Sequence, residues 1–588
     1  MCEFHLKTKN NFKQMKYQLK RPAVLLAFLS VFFNSHSENP KNQHQIKTTP
    51  VFTGFVYQGA DKVFIQHPLN EDEFYTPILQ GCYPDPSITR KGNDYYLVNS
   101  SFAMFPAVPI FHSTDLVNWK QLGHVLDKTT QLRLQNVGFS EGIYAPTIRY
   151  NKYNDTFYMI TTHIGGGLGN IIVKTNDPAK GWSDPIKLNF GGIDPSIFFD
   201  DNGKAYVVHN DAPDNGKELY NGHRVIKIWE YDLAKDQVIA GTDKIIVDGG
   251  VDITQKPIWI EGPHIYKKNG RYYLMCAEGG TGYNHSEVIF VSDNATGPYV
   301  PAPQNPILTQ RTLDPTRANK VEWAGHADII DTPDGKYYGV FLATRPNESN
   351  RVNTGRETFM LPVEWTGEFP VFKGGLEPLA PKLKVPAGVK NLTGTKGFMP
   401  NGNFKFEDNF KSDKLDLRWI AMRGPREDFT GLNAKGLSII PFGVNINEKK
   451  PTSCLFYRQQ HSNFTATTSL DYQPKAENDL AGLVCYQSEN SNYVFGITKK
   501  GKNTCIILSE TRNGKKTIVA SKIIKLNGPI SLQVKAESDL YSFSYSLKKG
   551  KFYSLGGSVS GDILSTNVAG GFTGSLIGLY ATSANITR

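Results

Sequence analysis

Five stretches of this chain repeat one pattern, and that repetition limits the fold more than any other feature. They are YPDPSITRKGNDYYLVNS from Tyr83, YAPTIRYNKYNDTFYMITT from Tyr144, IDPSIFFDDNGKAYVVHN from Ile193, EGPHIYKKNGRYYLMCAE from Glu261 and HADIIDTPDGKYYGVFLAT from His326. Each reads as a short apolar strand, a polar Gly, Asn or Asp turn, and a second strand of aromatic and β-branched residues, which is a hairpin signature. Between Gln80 and Phe372 the units average about 59 residues, somewhat longer than the roughly 40 to 50 of common propeller repeats. A solenoid needs more regular repeats, whereas a ring of blades closes on itself and tolerates long loops. The expectation is a five-bladed β-propeller whose innermost strands start at these motifs.

The remainder also reads as β structure. With 588 residues, 39% hydrophobic and 12% aromatic, the chain is too long for one ordinary core and too apolar for disorder. After Phe372 a Lys-, Gly- and Pro-rich stretch predicts a linker over 373–403. From 404 to 588 alternating segments such as TATTSLDYQ, AGLVCYQ, YVFGITK, TCIILSE and SLIGLYAT predict a β-sandwich. Residues 38–75 are polar and weakly patterned and are expected only as an N-terminal extension to a propeller over 76–372. The fold class is therefore all-β.

The N-terminus reads as an export signal. PAVLLAFLSVFF (22–33) follows Lys16, Lys20 and Arg21 and has the length of a signal-peptide apolar region, too short to span a bilayer. Residues 1–37 are expected as signal and leader, with Met15 an alternative start and cleavage near Ser37. The expected location is periplasmic or extracellular. The formal charge is +10, but six Lys and Arg fall in residues 1–37 against Glu3 alone. No basic block lies elsewhere, so nucleic-acid binding is not expected. The six cysteines lack disulfide-framework or metal spacing, and the thirteen histidines show no zinc motif. The glycine-rich run 165–170 precedes a strand-like IIVKTND and offers no helix N-terminus for phosphate. Ser113 to Trp119 is read as a turn cap and a buried Trp.

Three inner strands begin with a carboxylate beside a Pro or Gly-Pro: Asp85, Asp194 and Glu261. A lone Asp-Pro usually marks a turn. Repeat-related carboxylates at the heads of inner strands converge on the propeller axis, which suits glycoside hydrolysis by a general acid and a base or nucleophile. A third carboxylate helps keep the acid protonated by like-charge repulsion. Phe102, Tyr144, Trp259 and Tyr283 are candidate sugar-stacking aromatics.

On PILQGCYPDPSI, DYYLVNSSF, FHSTDLVNWKQLGHVL, GIYAPTIRY, GIDPSIFFDDNGKAY, EGPHIYKKNGRYYLMCAEGGTGYNHS, GHADII and GRETFMLPVEW, in that order, the chain resembles glycoside hydrolase family 43 over roughly residues 76–588. Within that family it is similar to the β-xylosidase and α-L-arabinofuranosidase branch with a C-terminal concanavalin-A-like (jelly-roll) sandwich. The resemblance implies Asp85 as general base, Glu261 as general acid and Asp194 as pKa modulator and orienting group. It further implies inversion of configuration and exo action on xylan-derived oligosaccharides. Arg356 is implied to bind substrate hydroxyls and His326 to lie beneath the site on the axis, with Phe102, Tyr144 and Thr281 as further substrate contacts. No cofactor is required, although a structural calcium below His326 is allowed, and an oligomer is left open. FAMFPA (102–107) and Tyr144 depart from the FEWFPG and Trp of many relatives, so xylose and arabinofuranose both stay open as the sugar. The competing readings are a non-catalytic glycan-binding propeller and a family 43 enzyme for another plant glycan.

Overall fold

A computed structural model describes residues 49–584 apart from 215 and 549. The expected signal and leader fall outside the described residues. Among those described, no helix is long and apolar enough to cross a membrane.

Five separate antiparallel sheets follow one another along the chain, each built from consecutive strands. Their innermost strands are Ser87–Lys91, Gly142–Asn151, Ile193–Phe199, Glu261–Lys268 and Glu322–Asp331. Each of these strands packs beside the next, and the fifth returns to the first, closing a ring. The sheets are blades 1 to 5. Turn chemistry explains why the hairpins form where they do. Asn269 and Gly270 both adopt positive φ (51° and 79°) between two strands of blade 4, as a two-residue type I′ hairpin requires.

The ring is sealed where chain segments 78–88 and 328–358 meet. Ile78 N–H donates to Thr358 O at 2.9 Å and Tyr83 N–H to Arg356 O at 3.1 Å. Ser87 Oγ donates to Asp328 Oδ2 at 2.8 Å. Ser113 to Trp119 forms the expected cap: Asp115 Oδ1 accepts from the backbone of Val117 and Asn118, and Trp119 is buried. The glycine-rich run 165–170 leads directly into the strand Gly169–Thr175.

The second domain is a two-sheet sandwich. One sheet contains Phe464–Asp471, Ile530–Glu537 and Leu540–Ser546, and the facing one runs from Cys454–Arg458 through Leu576–Thr582 and Leu480–Ser488 to Lys515–Ile524. The segment 38–75 is not merely an extension. Val51–Gly59 is an interior strand of the first sheet, paired with Phe464–Asp471 on one side and with Lys405–Asp408 and Gly436–Ile439 on the other. Its alternation had been masked by Thr53, Gly54 and Gln58, while Phe52, Phe55 and Tyr57 enter the core beside Trp419 and Tyr457. The described residues thus enter through the sandwich, build the propeller and return to the sandwich. The stretch 373–403 contributes Lys382–Lys384, which pairs with Glu73–Tyr75, and Met399 N–H donates to Trp119 O at 2.7 Å. It binds along the propeller rather than hanging free.

The domains also share backbone pairing, Met104–Phe105 with Ala421–Met422, and Arg458 stacks 4.3 Å from the Tyr83 ring while donating to Cys82 O. Because Phe55 is fully buried among Phe406, Trp419 and Tyr457, Phe55→Ala is expected to lower stability by about 3–5 kcal/mol. Exposed Ile65→Ala is expected to stay within about 0.5 kcal/mol. Denaturant unfolding of both variants checks this, and equal midpoints would contradict the interior placement of the strand.

Candidate active site

Each blade places a left-handed residue at the equivalent position near the head of its inner strand: Asp85 (φ 51°), Ala145 (33°), Asp194 (54°), Gly262 (56°) and His326 (53°). In blades 2 to 5 the pairing register shifts at this point. A bulge of this kind re-aims a side chain, and here it turns the strand heads toward the axis. The sequence expectation of three equivalent carboxylates needs one correction. Asp85 and Asp194 are equivalent, but Glu261 stands one position earlier, and Gly262 takes the ring position in its blade. A Cβ at Gly262 would lie 2.8 Å from His326 Nε2, so both its conformation and its lack of a side chain are required.

These heads enclose a cavity of about 390 Å³, in the range of small-ligand sites. Asp85, Asp194, Glu261, Arg356, His326, Phe102, Tyr144, Thr281 and Trp259 all line it, as read from the sequence. Tyr283 is the exception among the expected aromatics. It is half exposed and its hydroxyl donates to Arg311 O, outside the lining. Met104 also lies outside the lining, buried in the core between the two domains.

The three carboxylates meet different surroundings. Asp85 Oδ2 accepts from Ser100 Oγ at 2.5 Å, and its Oδ1 stands 4.0 Å from both Arg356 Nη1 and His326 Nδ1. Glu261 has one buried oxygen, Oε1, with no hydrogen-bond partner. Burial first, and then the charge of Asp85, pushes its carboxyl up to about 7 against the opposing pull of Arg356 and Arg224. Asp194 is driven well above the usual carboxylate range by burial and by the negative charges of Glu261 and Asp85, despite a backbone hydrogen bond from Gly262. His326 is pushed down by burial, against the pull of Asp85, which favours the neutral imidazole. Its backbone is held where Ala327 N–H donates to buried Glu287 at 2.9 Å.

Arg356 is buried and not paired with Glu357, which binds Arg345 instead. Its Nη2 donates to Phe572 O at 2.8 Å and its guanidinium lies 5.1 Å from the Phe572 ring. Phe572 comes from the sandwich and meets Tyr144 edge-on at 5.8 Å, while Tyr144 meets Phe102 edge-on at 5.6 Å. Across the pocket, Arg224 stacks 4.6 Å from Trp259 and is fixed by Asn210 Oδ1. Sequence reading had missed Phe572, Arg224 and Ser100. No local pattern marks Phe572, 216 positions from its partner Arg356. Ser100 lies inside DYYLVNSSF, but only the folded strand brings its hydroxyl to Asp85.

Below the ring the axis is filled. Arg149 Nη1 and Nη2 donate to Asp328 at 2.7 and 2.9 Å, and Asp328 also accepts from Ser87, Ile88 N–H and Tyr266. Arg149 Nη2 lies 3.1 Å from Nδ1 of His264, whose pKa is depressed to about 3 by burial, keeping it neutral. A calcium beneath His326 does not fit these residues. Calcium takes six to eight oxygen ligands, whereas Asp328 is already saturated and a guanidinium occupies the adjoining axis. Asp194, Glu261 and His326 bring two carboxylates and one imidazole within 4.8 Å of one another.

Known proteins resemble this chain over both domains. Residues 74–370 match the model for glycosyl hydrolases family 43, and residues 407–588 the β-xylosidase C-terminal concanavalin-A-like domain. The chain is 36% identical to a xylosidase/arabinosidase of Butyrivibrio fibrisolvens, over 86% of this chain and 95% of that protein. It is 34% identical to a non-reducing end α-L-arabinofuranosidase of Bacteroides ovatus, over 87% and 92% of the two chains. A crystal structure of a GH43_12 protein retrieved from a capybara gut metagenome superposes with a TM-score of 0.87 at 58% identity, covering 91% of this chain and 99% of that one. With three carboxylates gathered at the head of a five-bladed ring and both family domains in sequence, the chain belongs to glycoside hydrolase family 43 and is a glycosidase.

Proposed function

We propose that the protein is an inverting exo-glycosidase that removes terminal β-D-xylose, α-L-arabinofuranose or both from xylan-derived oligosaccharides. The observation that carries this reading is the unequal environment of two carboxylates in one pocket. Glu261, buried and pushed to about 7, is the general acid that protonates the leaving glycosidic oxygen. Asp85, against Ser100 and facing Arg356, is the base that takes a proton from the attacking water. Water adds to the anomeric carbon as the leaving oxygen departs with the proton from Glu261, giving a sugar of inverted configuration. Asp194 stands beside Glu261 and modulates its proton affinity, and Arg356 holds substrate hydroxyls. Arg149 and Asp328 fill the axis below the strand heads, and Phe572 walls one side of the cavity, which favours a single terminal sugar over a chain passing through. Relatives named for xylosidase and arabinosidase activities support the choice of sugars.

In this reading no metal is required, because Glu261 and Asp85 carry both proton transfers. EDTA is expected to leave both turnover and the unfolding temperature unchanged, and a loss of either that added calcium restores would overturn this. The protein is proposed to be exported by its 1–37 leader. Cell fractionation with and without that leader tests the location.

Matched nitrophenyl β-D-xylopyranoside and α-L-arabinofuranoside assays rank the sugars. Asp85→Asn is expected to lower kcat by about 10²–10⁴-fold on either sugar. Glu261→Gln is expected to do the same for unactivated oligosaccharides and far less for a dinitrophenyl glycoside, whose leaving group needs no proton. The sign of the pH dependence follows from the raised carboxyl: Glu261 is competent while protonated, so activity falls as pH rises through about 7. Glu261→Gln is expected to abolish that alkaline limb with the activated substrate. Full oligosaccharide turnover by Glu261→Gln would sink the acid assignment.

A further inference from the structure

Ser100 is fully buried and holds two partners at once. Ala145 N–H donates to its Oγ at 2.7 Å, and a hydroxyl carries a single hydrogen, which is left for Asp85 Oδ2 at 2.5 Å. The direction of both bonds is therefore fixed. The Ser100 backbone is pinned as well, its N–H donating to Pro84 O at 3.1 Å. Next to it, Asn99 Nδ2 donates to Tyr83 O, Pro84 O and Thr358 Oγ1 at 3.0, 3.1 and 2.9 Å. The end of a blade 1 strand is thus tied to the turn carrying Asp85 and, through Ala145, to the head of blade 2.

We propose that Ser100 is a positioning residue for the base, an inference that rests on Asp85 having that role. A carboxylate torsion is broad and roughly two-fold, so nothing intrinsic to Asp85 selects which oxygen faces the substrate. Ser100 selects it: Oδ2 is tethered, and Oδ1, turned toward Arg356 and His326, is the oxygen that receives the proton from water. Loss of the donor therefore frees the carboxylate to rotate, so that Oδ1 is no longer held toward the attacking water and kcat falls while substrate binding is kept.

The test is the kcat and KM of Ser100→Ala in the full-length enzyme, in the wild-type and Asp85→Asn backgrounds. In the wild-type background kcat is expected to fall about 10-fold with KM within about twofold, consistent with loss of one charge-assisted hydrogen bond. In the Asp85→Asn background the same substitution is expected to cost nothing further. An unchanged kcat, or an equal loss in both backgrounds, overturns the proposal. Should Ser100→Ala fail to fold, Ser100→Cys keeps the shape with a weak donor. It is expected to lower kcat in the same direction at unchanged KM, and a wild-type kcat in that variant overturns the proposal too. Full activity in Asp85→Asn would instead overturn the base assignment itself, so the two failures are distinguishable.

Discussion

Everything chemical in this molecule depends on five left-handed backbone turns around one axis. A residue with positive φ at the head of an inner strand breaks the ladder for a step and aims its side chain inward. Four of the five are not glycine, and such conformations cost of order 1–3 kcal/mol each. The neighbouring hydrogen bonds hold them in place: Ser100 on Asp85 and Ala145, Gly262 on Asp194, and Glu287 on the backbone beside His326. Proline follows the turn in four blades, which fixes the strand entry after each bend.

Electrostatics then separates groups that the backbone treats alike. Asp85 and Asp194 occupy equivalent ring positions, yet only Asp85 receives a hydroxyl hydrogen bond and faces a guanidinium. Glu261, displaced by one residue, has a buried oxygen without a partner and the like charge of Asp85 acting on it. Burial penalises each charge, and the uneven supply of compensating donors decides which group keeps a proton. Beneath them, Asp328 is held far below the usual carboxylate range by Arg149, so the axis carries its own neutralised ion pair.

The sandwich is part of the site as well as a neighbour to it. Phe572 supplies both a carbonyl for Arg356 and a ring against Tyr144, while Arg458 covers Tyr83, two residues before Asp85. Since Val51–Gly59 lies inside the same sandwich, the propeller is an insertion between two parts of one core. Disturbing that core is therefore felt at the wall of the pocket.

Repeat spacing, turn residues and alternation in the sequence were enough to specify five blades, a second β domain and the three carboxylates, because those patterns act locally on backbone and side-chain direction. The strand Val51–Gly59 escaped notice since its apolar residues are interrupted by Thr53, Gly54 and Gln58 and its partners lie about 350 to 420 positions later. Tyr283 was misplaced because composition cannot tell a lining aromatic from one on a loop. The choice of Asp85 oxygen, the elevation of Glu261, the guanidinium on the axis and the Phe572 wall were decided only by tertiary structure. Each depends on burial and on distances between residues remote in the chain, quantities that a linear sequence does not contain.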